Sequence, residues 1–263
     1  MICALMIGRA GSRGLPGKNT QKVLGRPLCE YPLIACKKSK YIERIFVSTD
    51  CKIIKKISRK YKAILINRPK SLATNNALGE HVFEHGYFQI KKDLKLIKKK
   101  VELIVLLMAN AATINAKIID KGIEILKKNK NFDSAVSTSV YNMWSPLRAR
   151  RLGKDGTLKP FVPFKTFGNP KTLNCDRDSQ GDVYFADMSV SVVRPKCLEK
   201  MNKGLLPQKW MGNKIAPIKS ESGFDLDYVW QLPIAEYWIK NNFHENSHFL
   251  RILCEAKTEH SLS

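Results

Sequence analysis

Ile2-Cys3-Ala4-Leu5-Met6-Ile7 runs straight into Gly8-Arg9-Ala10-Gly11-Ser12-Arg13-Gly14-Leu15-Pro16-Gly17-Lys18-Asn19. An apolar run followed by a loop that mixes glycines with Arg9, Arg13 and Lys18 has the chemistry of a strand ending at an anion site. Glycines let backbone N–H groups approach phosphate oxygens, and the cations neutralise their charge. The loop has neither the GxxxxGK[ST] of a Walker A loop nor the GxGxxG spacing of dinucleotide folds. A plain basic turn between strand and helix accounts less well for so much glycine and charge together.

Outward from this stretch, short apolar β-branched runs alternate with amphipathic lysine-rich ones. Strands are predicted at 2–7, 44–48, 64–67, 103–108 and 135–139, with helices between them at 31–39, 52–61, 79–99 and 115–129. The fold class that follows is α/β: a Rossmann-like, mostly parallel sheet with helices on both faces and a ligand crevice at the C-terminal ends of the strands. From about Tyr141 to Pro195 the texture changes, with Pro146, Pro160, Pro163 and Pro170 and no helical period. This is read as an extended excursion, 141–195, inserted in a single domain of 1–263. The pattern resumes with a strand at 189–193, a helix from near Pro195, a strand at 214–218 and a last helix near 228–241.

An apolar content of 44% over 263 residues is enough for a sizeable core and argues against disorder. The formal charge of +23 favours anionic partners, with a nucleotide substrate, a membrane surface and nucleic acid all open. Most of the excess is lysine in Lys52–Lys62, Lys91–Lys100 and Lys117–Lys130, runs without the interleaved aromatics that stack bases. These look like solvated helix faces, so nucleic acid is the less favoured partner. The 7 cysteines are scattered without a CxxC pair, which suggests reduced thiols rather than a disulfide framework or zinc site. No apolar run reaches membrane-spanning length and the first is too short for a signal peptide, so no membrane partner and a cytoplasmic location are expected.

The run Arg9-Ala10-Gly11-Ser12-Arg13-Gly14-Leu15-Pro16-Gly17-Lys18-Asn19, followed by Gly25-Arg26-Pro27-Leu28, resembles the signature loop of the CMP-N-acylneuraminate cytidylyltransferase family. Similar stretches follow in order: Arg44-Ile45-Phe46-Val47-Ser48-Thr49-Asp50, Arg68-Pro69 with Leu72-Ala73-Thr74, Ser145-Pro146-Leu147-Arg148, and Asp225-Leu226-Asp227. The resemblance implies a fold of the nucleotide-diphospho-sugar transferase type and transfer of CMP from CTP to the anomeric hydroxyl of an acidic 2-keto-3-deoxy sugar, with loss of pyrophosphate. It implies that Arg9, Arg13 and Lys18 hold the CTP phosphates, that Ser12, Asn19 and Arg68 help to seat the nucleotide, and that Arg148 and Arg177 reach the acidic sugar. It implies further that the excursion forms a homodimer interface.

Asp225 and Asp227 are two residues apart in an apolar stretch, so on an extended segment both carboxylates point to one side. Two hard oxygen ligands on one face suit Mg²⁺, although an Asp pair ahead of a helix also serves as an N-cap. In the resembling family this DxD binds the metal.

Two stretches depart from the family pattern. Its Gln-Pro-Thr-Ser-Pro-Leu-Arg run after the fourth strand reads Met108-Ala109-Asn110-Ala111-Ala112-Thr113-Ile114, and its Arg-Pro-Asn-Gly reads Phe185-Ala186-Asp187-Met188. Asn110 and Thr113 are the candidates for replacement hydrogen bonds to the sugar, and the best acceptor is expected to be other than N-acetylneuraminate.

A competing motif is His81-Val82-Phe83-Glu84-His85, which matches the HxxEH of inverted zinc peptidases but lacks an evident third ligand. The remaining histidines, His244, His248 and His260, have no partner spacing. Trp144, Trp210, Trp230 and Trp238 read as packing residues. Asp50 either reaches the cleft or caps the helix that follows it.

Overall fold

In the computed structural model, residues 1–11, 15–174, 176 and 181–243 are described. In chain order the strands are β1 (Ile2–Ile7), β2 (Lys22–Val23), β3 (Arg26–Pro27), β4 (Arg44–Ser48), β5 (Ile64–Ile66), β6 (Leu103–Met108), β7 (Ser134–Val140), β8 (Arg150–Leu152), β9 (Leu158–Pro160), β10 (Tyr184–Val193) and β11 (Ile215–Lys219). The helices are α1 (Glu30–Lys38), α2 (Lys52–Lys60), α3 (Gly79–Leu96), α4 (Ala116–Lys128), α5 (Pro195–Glu199) and α6 (Leu232–Asn242).

A seven-stranded sheet in the order β11-β7-β10-β6-β1-β4-β5 carries the molecule. All its neighbours pair in parallel except β10, which lies antiparallel between β6 and β7. Because side chains alternate along a strand, β1 divides between two cores. Ala4 and Met6 meet Leu33 of α1, Ile54 of α2, Ile123 of α4 and Trp238 of α6 on one face. Cys3, Leu5 and Ile7 meet Phe83, Ile90 and Leu94 of α3 and Leu198 of α5 on the other. Truncating a fully buried side chain such as Leu94 would cost about 2–5 kcal/mol.

The lysine-rich helices are amphipathic as expected. In α4, Ile119, Ile123 and Leu126 are buried while Lys117, Lys121, Lys127 and Lys128 face solvent, and the Asn115 side chain caps the helix by accepting from the Ile118 amide at 3.0 Å. Among the described residues no helix is long and apolar enough to cross a membrane.

The chain leaves the sheet after Val140 and rejoins it at Tyr184, where β10 begins five residues earlier than the apolar run alone suggested. The excursion therefore ends before the expected boundary at 195, and its described part carries the β8–β9 hairpin. What this topology sets up is an edge: Ile7 of β1 is in register with both Ser48 of β4 and Met108 of β6, so three parallel strands end side by side.

Candidate active site

The glycine-rich loop leaves β1 pressed against the end of β6. A Cβ on Gly8 would lie 2.5 Å from the Ala109 Cβ, so only glycine allows this approach. The loop is then tied to its neighbours by backbone bonds. The Ala10 N–H donates to Asp50 Oδ1 at 2.9 Å, the Arg9 guanidinium to the Thr74 carbonyl at 2.8 Å, and the buried Asn19 amide to the Arg9 carbonyl at 2.9 Å. Asp50 thus does reach the cleft. Asn19 is a scaffold of the loop in this arrangement, while Ser12 and Arg13 lie outside the described residues.

Arg68, only 9% exposed, follows β5 and lies over the end of β4, where its guanidinium donates to the Ser48 hydroxyl at 3.2 Å and to the Ser48 carbonyl. Burial lowers its pKa to about 10; nearby Asp50 works against that shift and Arg9 reinforces it. It stays charged at neutral pH, so Arg9 and Arg68 place two cations at the same edge.

The carboxylate pair comes from the far end of the chain. Residues 225–227 belong to neither strand nor helix; Leu226 is buried and its amide donates to the Asn110 carbonyl at 3.1 Å, while Asp225 and Asp227 are each half-buried on either side of it. Neither aspartate serves as the N-cap of the turn that follows; that place belongs to Tyr228. Lys18 Nζ bonds to Asp227 Oδ1, joining the glycine-rich loop to this segment across 209 residues of sequence. Burial, and then the negative charge of Asp227, push the Asp225 carboxyl above its ordinary range, against Lys18 and a 3.3 Å hydrogen bond from Asn110. Two close carboxylates, one desolvated, fit a divalent cation whose remaining ligands come from substrate phosphates and water. Among the described residues no group of three or more His, Cys, Asp or Glu could hold a metal unaided.

The expected acceptor residues are dispersed. Asn110 Nδ2 donates to Asp225 and to the Leu226 carbonyl, so it borders the cleft but is engaged in holding the 225–227 segment. Thr113, 1% exposed, accepts from the Phe224 amide and bonds to the Phe224 carbonyl and the Ser189 hydroxyl; it supports the same segment from beneath. Arg148 is exposed and lines a cavity of about 350 Å³ with Tyr141, Asn142, Met143 and Val183. Arg177 lies outside the described residues. His81 is exposed and sits 4.0 Å from Glu80, whereas the Nδ1 of His85 is buried without a partner; no third zinc ligand joins them among the described residues.

Sequence reasoning did not single out Asp187, Ser137 and Ser139, a buried polar cluster under the carboxylate segment. The signal was present: hydroxyls two residues apart on β7 project to one face of a strand otherwise packed into the core.

Residues 3–153 match the family described as Cytidylyltransferase. The chain is 27% identical over 170 residues to the pseudaminic acid cytidylyltransferase and UDP-2,4-diacetamido-2,4,6-trideoxy-beta-L-altropyranose hydrolase of Helicobacter pylori, covering 64% of this chain and 31% of that protein. It is 40% identical over 77 residues to the CMP-N,N'-diacetyllegionaminic acid synthase of Legionella pneumophila, covering 29% and 33%. The chain thus spans about a third of the length of these curated relatives. Its fold is similar to that of a CMP:2-keto-3-deoxy-manno-octonic acid synthetase complexed with CTP, with a TM-score of 0.62 at 11% identity over 91% of this chain and 98% of that one.

Proposed function

We propose that this chain, which belongs to the cytidylyltransferase family, transfers CMP from CTP to the anomeric hydroxyl of an acidic 2-keto-3-deoxy sugar and releases pyrophosphate. The observation that carries the reading is the convergence of Lys18 with Asp225 and Asp227 at the edge where β1, β4 and β6 end. Cations for a triphosphate and carboxylates for a divalent metal meet there, at the crevice where open α/β sheets bind ligands.

The sugar oxygen attacks the α-phosphorus in line as the bond to pyrophosphate breaks, so no covalent intermediate with the protein is required. Arg9, Arg13 and Lys18 stabilise the charge that moves onto the departing pyrophosphate, while Ser12, Asn19 and Arg68 keep the loop and nucleotide seated. Asp225 and Asp227 are the hard oxygen ligands for Mg²⁺, which when bound neutralises and polarises the phosphates. Until metal and nucleotide arrive, Lys18 offsets the charge of Asp227.

Arg148 and Arg177 are assigned to the acceptor carboxylate. The relatives named for pseudaminic acid and N,N'-diacetyllegionaminic acid support an acidic acceptor. A homodimer built on the excursion is supported by Met143, Trp144, Leu152, Leu158 and Phe161, which stand exposed there.

Pyrophosphate release, measured with each nucleoside triphosphate and Mg²⁺ against a panel of acidic sugars, tests the reading. Turnover with CTP that Asp225→Ala abolishes is the expected result. Turnover that prefers another triphosphate, or that survives this substitution, would overturn it.

A further inference from the structure

We propose that Asp187 is a positioning residue whose buried carboxylate, acting through the Ser139 hydroxyl on the Gly223 amide, fixes the segment that presents Asp225 and Asp227. The inference rests on the reading of those aspartates as ligands of a divalent metal.

Asp187 sits on β10, where the register against β7 shifts between Ala186 and Ser191, and is 4% exposed. Its neighbour Met188 takes φ +63, a left-handed conformation uncommon outside glycine. That turn aims the carboxylate into the core. Oδ1 accepts from the Ser137 hydroxyl and, at 3.1 Å, from the Ser189 amide, and Oδ2 accepts from the Ser139 hydroxyl at 2.9 Å. Among the described residues it has no Lys or Arg partner within ion-pair distance. An unpaired buried carboxylate is costly even when hydrogen-bonded, and an apolar residue at the same place would cost less, so a specific use for the charge is indicated.

That use lies one bond further on. Ser139 spends its proton on Asp187 and its lone pair on the Gly223 amide at 2.9 Å, giving a chain from N–H to hydroxyl to carboxylate in which each bond polarises the next. Gly223 is pressed onto the carboxylate so closely that a Cβ there would lie 2.4 Å from Oδ2. Its carbonyl accepts from the Tyr141 phenol at 3.0 Å; burial, and then the Asp187 charge, push that phenol up to about 12 and keep it a donor. Phe224 is held through both backbone groups by Thr113. The two residues ahead of Asp225 are thereby pinned at every backbone polar group, although they belong to neither strand nor helix.

The test compares Mn²⁺ binding, read by the electron paramagnetic resonance of the free ion, in wild type, Asp187→Asn, Ser139→Ala and Ser137→Ala, with and without saturating CTP. Amide exchange over 220–228 is followed in the metal-free proteins. Asparagine keeps the size and the bonds at Oδ1 but turns a donor toward Ser139, which then has no acceptor for its proton. Asp187→Asn is expected to weaken Mn²⁺ binding to the CTP complex by tenfold or more, to leave metal-free CTP affinity unchanged, and to speed exchange at Gly223. Ser139→Ala should reproduce this, and the double variant should not add to it. It also carries the test by itself if Asp187→Asn fails to fold. Ser137→Ala removes a bond to the same carboxylate outside the relay and should bind Mn²⁺ within twofold of wild type. Wild-type Mn²⁺ binding by both Asp187→Asn and Ser139→Ala overturns the positioning role alone. Equal losses in all three variants that track their melting temperatures also overturn it. Absence of Mn²⁺ binding by wild type with CTP removes the metal reading and this inference together.

Discussion

Around residues 8–11, 15–20, 48–50 and 68, polar side chains are bonded to backbone: Asn19 to Arg9, Arg68 to Ser48, Asp50 to Ala10. Around 141–183 the reverse holds, with Met143, Trp144, Leu152 and Phe161 standing in solvent and Arg148 exposed beside an open cavity. In the first region the described loop ends start from the ends of parallel strands, so their placement comes with the sheet. The described part of the second lies outside the seven-stranded sheet, with its own β8–β9 hairpin. On the proposed function, nucleotide recognition would be built into the fold and acceptor recognition left to an appendage, an arrangement by which one scaffold can keep its donor and change its acceptor.

The sharpest way to break this comparison is at the carboxylates proposed to hold the metal. Asp227→Ala should lower turnover by at least about 10²–10³-fold while CTP still binds, as measured by steady-state pyrophosphate release and direct titration. Arg68→Ala should be costly in a different manner: it removes the guanidinium's bonds to the Ser48 hydroxyl and carbonyl, leaving that carbonyl only the 3.3 Å bond from the Gly8 amide, and should lose roughly 1–3 kcal/mol of stability in denaturant unfolding, together with CTP affinity. If Arg148 belongs only to the acceptor side, Arg148→Ala should raise KM for the acid sugar about tenfold, near 1.4 kcal/mol, and leave KM for CTP untouched. A matching rise in both would erase the division.

The smallest effect concerns pH. The pKa of Asp225 in the folded protein lies above its unfolded value, so its contribution to stability is fully present below the ordinary carboxylate range, near 3.9, and is lost as pH rises through the raised value. Metal-free Asp225→Asn should therefore melt slightly higher than wild type at neutral pH, and the difference should vanish in acid. A thermal-melt series against pH checks it.

The parallel strands and their helices were legible because each is a local pattern: β1 and β6 are unbroken apolar runs, and α2 and α4 repeat their isoleucines at helical spacing. The direction of β10 was not, since a strand's own residues do not say whether the chain enters it from one end of the sheet or the other. The glycine-rich loop declared its chemistry, but the contact of Lys18 with Asp227 spans the whole chain and only the family resemblance brought the two together. Asn110 and Thr113 were expected to face the sugar because they replace residues that do. The fold uses them on 224–226 instead, a choice decided by which backbone groups lack partners and not by any local pattern. Asp187 escaped notice for the same reason, being a charged residue inside a strand.

The lysine-covered helix faces have a consequence for the molecule in solution. Each chain carries a formal +23, so two copies repel one another, and the homodimer proposed above would have to form against that field. At 0.15 M ionic strength the repulsion is confined to about 8 Å and at low salt it reaches much further. The proposed pairing should accordingly tighten as salt is added, the opposite of what the proposed binding of nucleotide phosphates by its arginines would do.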